Sequence, residues 1–365
     1  YYPSSMDVPA YPYPAYPHSE RGKVDNPGHR YPFASETITS GIREATLTGK
    51  PYPIKGWLVY ATNLIHSMPN QEETIRAIRA LDLLVVVDVI PSEIAGWADV
   101  VLPEATYLER YDDLNVETFR EPFVALRQPV VTPPADQKPN WWIARELALK
   151  LGLGAYYPWH DIEEYLDFRL KGAGLSLPEL KQKGLVRGPQ QPLYFEDGVP
   201  AEFPTPSGKI EFYSTQLKDA GFDPVPRYTR PADGPSGSFR LLSGRAPVHT
   251  FSRTQSNPVL RDAMDENEVW VNGDVGARLG LHSGDYVRLR NQDGVVSDRV
   301  KARVTAAIRP DCVYMVHGFG HTSKGLRSTF GKGASDAQLM TRYAVDPLMG
   351  GTGINVNFVT IEQGA

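Results

Sequence analysis

The sequence predicts an α/β domain on a parallel sheet, followed by a small closed β barrel with one helix let into it. Three observations carry that reading. Apolar strand-like runs alternate with helical signals across residues 51–155; a dense strand, helix and strand pattern fills Asn267 to His321; and the intervening 156–238 are mixed and rich in Gly and Pro.

Taken in order, residues 1–50 read as a Pro- and Tyr-rich arm or linker, because Tyr11-Pro-Tyr-Pro-Ala-Tyr-Pro17 suits neither a helix interior nor a central strand. Gly56 to Tyr60 reads as a strand, and Asn70-Gln-Glu-Glu73 caps a helix carrying Ile75 and Ile78. Leu83 to Val89 is a second, buried strand and Val100 to Leu102 a third. A helix from Trp141 to Leu151 places Ile143, Leu147 and Leu151 on one face, with Gly152 at its end. Residues 156–238 read as a crossover region with some ordered packing. In the barrel, 239–365, Asn272 caps a short helix over Val275 and Leu279 that Gly280 ends. Val287 and Leu289 alternate with Arg288 and Arg290, Asp293-Gly294 turns the chain, and Val300, Ala302 and Val304 alternate with Lys301, Arg303 and Thr305.

Composition sets the bounds. The chain has 365 residues, 41% hydrophobic and 22% charged, enough for two or more domains with real cores. Its formal net charge of −5 argues against a general affinity for nucleic acid or acidic membranes. No apolar run approaches a membrane span, the strongest being Leu83-Leu-Val-Val-Val87. A single cysteine, Cys312, excludes an internal disulfide and any cysteine-built metal site in these residues; it reads as a small buried side chain. The first residues carry no targeting peptide, and they do not read as the natural start of an open reading frame.

Ligands of open parallel sheets bind beyond the carboxyl ends of the strands, which directs attention to Ala61 to Asn70 and to Asp88-Val-Ile-Pro-Ser92. Asp88 supports two readings: its carboxylate accepts the donor pair on one edge of a guanine, or it caps a helix. No G-x-G-x-x-G loop, P-loop or G-x-S-x-G elbow occurs, so a nicotinamide or flavin site and a self-contained hydrolase lack support. Arg245, His249 and Arg253 lie among the hydroxyls of Leu241 to Thr254, which suits a ligand rich in phosphates or carbonyls; an exposed basic loop is the other reading. His317 and His321 have zinc-ligand spacing, but the glycines between them disfavour a helix, and Gly318 and Gly320 better explain a close backbone approach. Lys332 reads as a solvated lysine ahead of an anion contact.

The runs Ala98-Asp-Val-Val-Leu-Pro103, Tyr107-Leu-Glu-Arg110, Thr205-Pro-Ser-Gly-Lys-Ile-Glu-Phe212 and Asn267 through His321 resemble the third and fourth domains of the molybdopterin oxidoreductases of the dimethyl sulfoxide reductase family. Asp112-Asp-Leu-Asn-Val-Glu117 and Arg120-Glu-Pro-Phe-Val-Ala-Leu-Arg-Gln-Pro129 are most similar to the catalytic subunits of polysulfide and thiosulfate reductases. The resemblance implies a double-psi barrel and a bis-molybdopterin guanine dinucleotide cofactor carrying molybdenum. It places Asn63, Asp88 and Ser92 at the nucleotide, and Arg245, His249, Thr250, Ser252, Arg253 and Thr254 at the pterins, with His317, Gly318, Lys332 and Asn355 as further contacts. It also implies that the iron–sulfur cluster and the molybdenum ligand belong to an amino-terminal half outside these residues, so that no catalytic residue and no metal ligand is assigned here. The partners it implies are that half, an iron–sulfur subunit and a quinone-reactive membrane anchor, on the periplasmic side of the cytoplasmic membrane. A non-catalytic assembly module, or a related arsenate or tetrathionate reductase, is the alternative.

Overall fold

The computed structural model describes Met6, Val8 and residues 21–117, 120–190 and 203–363; the Tyr/Pro run from Tyr11 to Pro17 lies outside the described residues. The described residues form two compact units, one of 21–102 with 229–363, the other of 103–228 with Met6 and Val8.

In the first unit the chain begins with helix α1, Thr39–Thr48, which ends on Gly49 in the left-handed conformation at φ 70°. The expected arm thus contains a helix. It buries Arg43, Ala45 and Thr46, which make no apolar stripe in the sequence. Strand β1, Gly56–Tyr60, is followed by α2, Leu64–Ser67, and α3, Gln71–Arg79, whose first turn is capped where the Asn70 side chain accepts from the Glu73 N–H. Strand β2, Leu83–Asp88, a 3₁₀ turn at Ile94–Trp97 and β3, Val100–Pro103, complete a sheet of order β1-β2-β3, with β1 and β2 parallel. Val59, Ile65, Ile78, Leu84, Val86 and Ile94 are its core. The second strand is not buried along its length as expected: Leu83 is 46% exposed, because β-branched composition favours a strand without fixing what covers each face.

The other unit carries strands β4 (Asn115–Glu117), β5 (Phe123–Ala125) and, later, β6 (Leu185–Arg187) in one antiparallel sheet. Helix α4 is Asn140–Lys150. Ile143 and Ala148 are its buried residues, whereas Leu151 is 72% exposed, so the buried stripe is turned from the expected one. Because α4 lies here, the residues grouped as 51–155 fall on both units. Helices α5, Ile162–Gly172, and α6, Leu177–Lys183, start where Asp161 and Ser176 accept from the N–H groups of Glu164 and Glu179. Leu166, Leu170 and Leu180 pack with Val124, Trp159 and Tyr165, and Met6 and Val8 lie against this core. The first part of the expected crossover is therefore half of a folded unit. Helix α7, Thr215–Asp219, follows.

The chain returns to the first unit as a closed barrel of order β10-β8-β11-β7-β14-β9. Its strands are β7 (Phe239–Gly244), β8 (Glu268–Asn272), β9 (Tyr286–Asn291), β10 (Val300–Thr305), β11 (Cys312–Val316) and β14 (Phe358–Gln363), while β12 (Ala344–Val345) and β13 (Thr352–Gly353) pair outside it. Helix α8, Pro258–Ala263, precedes β8, and α9, Gly273–Leu279, is the helix let into the barrel; it is capped by Asn272 and ended by Gly280 at φ 64°. The inward set, Val269, Val271, Val287, Leu289, Val300, Ala302, Val313 and Met315, follows the alternation in the sequence. Cys312 is buried in β11, as expected. Helix α10, Asp336–Leu339, sits in the insertion after β11. There the Asn70 N–H donates to the Met340 carbonyl at 2.7 Å and Arg43 donates to the Tyr343 hydroxyl at 3.0 Å, joining sheet and barrel. Among the described residues no helix is long and apolar enough to cross a membrane.

Candidate functional site

The loops at the carboxyl ends of β1 and β2 meet the barrel around one buried acid, Glu93. Its Oε1 accepts from His321 Nδ1 at 3.0 Å and from the N–H groups of Thr322 and Ser323 at 2.9 and 3.1 Å, while Oε2 accepts from Asn63 Nδ2 at 2.7 Å. His66 Nε2 lies 3.6 Å from Oε2. Burial alone would raise the Glu93 pKa, but the His321 hydrogen bond and the two imidazoles outweigh it and hold the carboxyl well below the usual range. Burial lowers His66 to about 4 against the opposing pull of Glu93, leaving the imidazole neutral at pH 7. Two buried polar atoms in this cluster, Asn63 Oδ1 and His66 Nδ1, have no hydrogen-bond partner. Glu93 and His66 were not among the sequence candidates. Residues 66, 93 and 321 have no local spacing that could unite them.

Asp88 holds its own turn. Oδ1 accepts from the N–H groups of Val89 and Ile90 at 2.7 and 3.3 Å, and Oδ2 from the buried Ser92 hydroxyl at 2.8 Å. These bonds lie within the turn 88–92 and cap no helix, since the next helical turn, Ile94–Trp97, has Glu93 at its N-cap.

In the barrel, Phe251 is a left-handed non-glycine residue at φ 49°. The guanidinium carbons of Arg245 and Arg253 lie 4.5 and 5.7 Å from its ring centre. Both arginines are exposed, and neither forms an ion pair among the described residues. His249, in contrast, is buried and committed: Nε2 donates to the Met264 carbonyl at 2.8 Å and Nδ1 faces the Thr254 hydroxyl at 3.2 Å, whose oxygen also accepts from the Thr250 N–H. A direct pterin contact through either ring nitrogen of His249 would break this pin. Ser252 is buried beside it, and Thr250 is exposed.

His317 and His321 serve different acids, so they form no pair. His317 Nδ1 donates to the fully buried Asp336 at 2.9 Å, and Asp336 also accepts from the Ser243 hydroxyl. Burial would lower the His317 pKa; the Asp336 hydrogen bond and charge outweigh that and raise it. Gly318, at φ 98°, and Gly320, at φ 74°, bring the backbone close to Phe251 and Ser335, the close approach expected of them. Lys332 Nζ is paired with Asp265 at 2.5 Å, and Asn355 is exposed, with its carbonyl accepting from Arg240 at 2.6 Å.

Two clefts open in this unit. One of about 640 Å³ is lined by Thr39, Thr62, Leu64, Ser67, Gly350 and Thr352 among others; the second, of about 720 Å³, is lined by His66, Glu93, Trp97, Lys324 and Ser335 among others. None of the sequence candidates lines either, although Thr62 and Leu64 flank Asn63, and Glu93 follows Ser92. The donor set still fits an oxygen-rich dinucleotide: two guanidiniums without acid partners, a nearby exposed hydroxyl and glycine-assisted backbone.

Comparison with known proteins agrees with this chemistry. Residues 29–150 match the family described as Molybdopterin oxidoreductase, and residues 239–358 match the Molydopterin dinucleotide binding domain. The thiosulfate reductase molybdopterin-containing subunit of Salmonella typhimurium is 35% identical over 328 residues, which is 83% of this chain and 43% of that protein. Acetylene hydratase of Syntrophotalea acetylenica is 31% identical over 261 residues, 68% of this chain and 35% of that protein. Dimethyl sulfoxide reductase of Escherichia coli is 28% identical over 348 residues, 85% of this chain and 42% of that protein. The solved structure of acetylene hydratase from Pelobacter acetylenicus shares the fold, with a TM-score of 0.74 and 24% identity over 94% of this chain and 50% of that one. The chain thus spans less than half the length of these curated relatives. With one family match on the α/β part and another on the barrel, the chain belongs to the molybdopterin oxidoreductases.

Proposed function

We propose that this chain is the carboxyl-terminal, cofactor-binding part of a bis-molybdopterin guanine dinucleotide enzyme that reduces a sulfur compound, thiosulfate or polysulfide. The observation that carries the reading is the 35% identity to a thiosulfate reductase subunit across 83% of this chain, with the dinucleotide-binding match lying on the barrel. The parallel pairs β7/β11 and β8/β10 support a double-psi connection in that barrel.

In this reading Arg245 and Arg253 hold oxygen-rich groups of the cofactor by charge and fork geometry, with Thr250 adding a hydroxyl. Gly318 allows the 245–254 loop to close over the insertion, and Asp336 orients the imidazole of His317 through Nδ1. Asn63 is fixed by Glu93 with its Oδ1 left to accept an N–H such as a pterin or guanine offers. Asp88 shapes the loop that meets the nucleotide. The bound group supplies two-electron redox chemistry at molybdenum, and the protein supplies orientation and electrostatics. The iron–sulfur cluster and metal ligand belong to an amino-terminal half, and the assembly includes an iron–sulfur subunit and a membrane anchor on the periplasmic side. The test is to co-produce the chain with that half and assay guanine, molybdenum and thiosulfate reduction. Reconstituted protein that retains no guanine nucleotide would overturn the proposal.

A further inference from the structure

We propose that His66, Glu93 and His321 form a binding site for a divalent cation of the zinc type. The three side chains come from helix α2 after β1, the loop after β2 and the insertion after β11, each is less than 6% exposed, and one ligand atom of each lies within 4.8 Å of the others. Two nitrogens and a carboxylate oxygen are the donor set that zinc takes.

Tetrahedral zinc with bonds of about 2.0–2.1 Å sets its ligand atoms roughly 3.3 Å apart. One oxygen, Glu93 Oε2, lies 3.3 Å from His321 Nδ1 and 3.6 Å from His66 Nε2, close to that spacing. Only the separation of the imidazoles has to close.

Asn63 also lies against the carboxylate. Asn63, more than nine-tenths buried, donates to Glu93 through Nδ2 while its Oδ1 has no partner. Ligation by His321 through Nδ1 leaves its ring N–H on Nε2. The N–H groups of Thr322 and Ser323 stay on Oε1, orienting the carboxylate as second partners of metal ligands commonly do.

The test uses the untagged full chain, stripped with a chelator and titrated with Zn²⁺ alone, with zinc per chain measured after gel filtration. One zinc per folded chain is expected, and His66→Gln and Glu93→Gln should each weaken binding by about 10- to 100-fold or more. Circular dichroism checks that each variant folds. Should Glu93→Gln unfold, Co²⁺ added to the unaltered chain decides: a visible d–d absorption of tetrahedral intensity, bleached by Zn²⁺, is expected. A folded chain that retains no zinc, a featureless cobalt spectrum, or unchanged zinc affinity in His66→Gln would each overturn the site and leave a hydrogen-bonded clamp.

Discussion

Gly318 approaches Phe251 so closely that a Cβ on Gly318 would stand 2.1 Å from the Phe251 carbonyl oxygen. The backbone there is also left-handed, at φ 98°. Gly318→Ala therefore adds a collision with main chain to a strained conformation, and the 245–254 loop must shift. We expect a loss of at least about 2–3 kcal/mol in urea unfolding and faster proteolysis within that loop. An unchanged urea midpoint would contradict the packing described.

His66 and His317 set opposite pH slopes. The folded pKa of His66 is depressed from 6.5 to about 4, so its contribution is fully present above pH 6.5 and is lost as pH falls towards 4, an effect on the order of 3 kcal/mol. The folded pKa of His317 is raised, so its contribution is complete below pH 6.5 and is lost as pH climbs through the folded value. Glu93, with a depressed pKa, adds its own loss only below the ordinary carboxylate range. Stability should peak near pH 6.5. Urea midpoints at pH 5–8 check this, with His66→Gln flattening the acid limb and Asp336→Asn the alkaline one.

Arg43 is 1% exposed and donates to the Pro69 carbonyl at 2.6 Å, Thr74 Oγ1 at 2.9 Å and the Tyr343 hydroxyl at 3.0 Å, with Glu73 at 2.7 Å. Arg43→Met removes the donor from every one of these acceptors, so a loss of about 3–5 kcal/mol is expected. Adding Glu73→Gln should recover part of it. A thermal melt of the single and double variants reads both outcomes.

Arg245 and Arg253 are exposed and touch mainly the Phe251 ring, so Arg245→Ala with Arg253→Ala should change stability by no more than about 0.5 kcal/mol each. In the reconstituted enzyme the same pair should lower guanine and molybdenum content several-fold. Full cofactor retention would remove these arginines from the proposed role.

The barrel was legible because its strands alternate cleanly and its helix is bounded by Asn272 and Gly280, both local signals. Glu93 was not, since its importance arises only where His66 and His321 are folded onto it. Helix α1 was missed for the same reason: what it buries is Arg43, satisfied by partners far along the chain. Asp161 and Ser176 cap helices inside the stretch that reads as a crossover, because its Gly and Pro content does not show what packs beneath it. His249 stands in the sequence among donors for a polar ligand, whereas its hydrogen bonds turn inward to Met264 and Thr254, a direction that composition does not specify.

Strand β14, Phe358–Gln363, lies between β7 and β9 in the ring, and among the described residues no other strand takes its place. Without β14 the ring is an open sheet with β7 and β9 as unpaired borders, so the barrel closes only once residues 358–363 have been made. Nascent chains in that state present Leu241 and Leu289 to water, which makes this interval the one in which a folding helper or a premature stop has the greatest effect on yield.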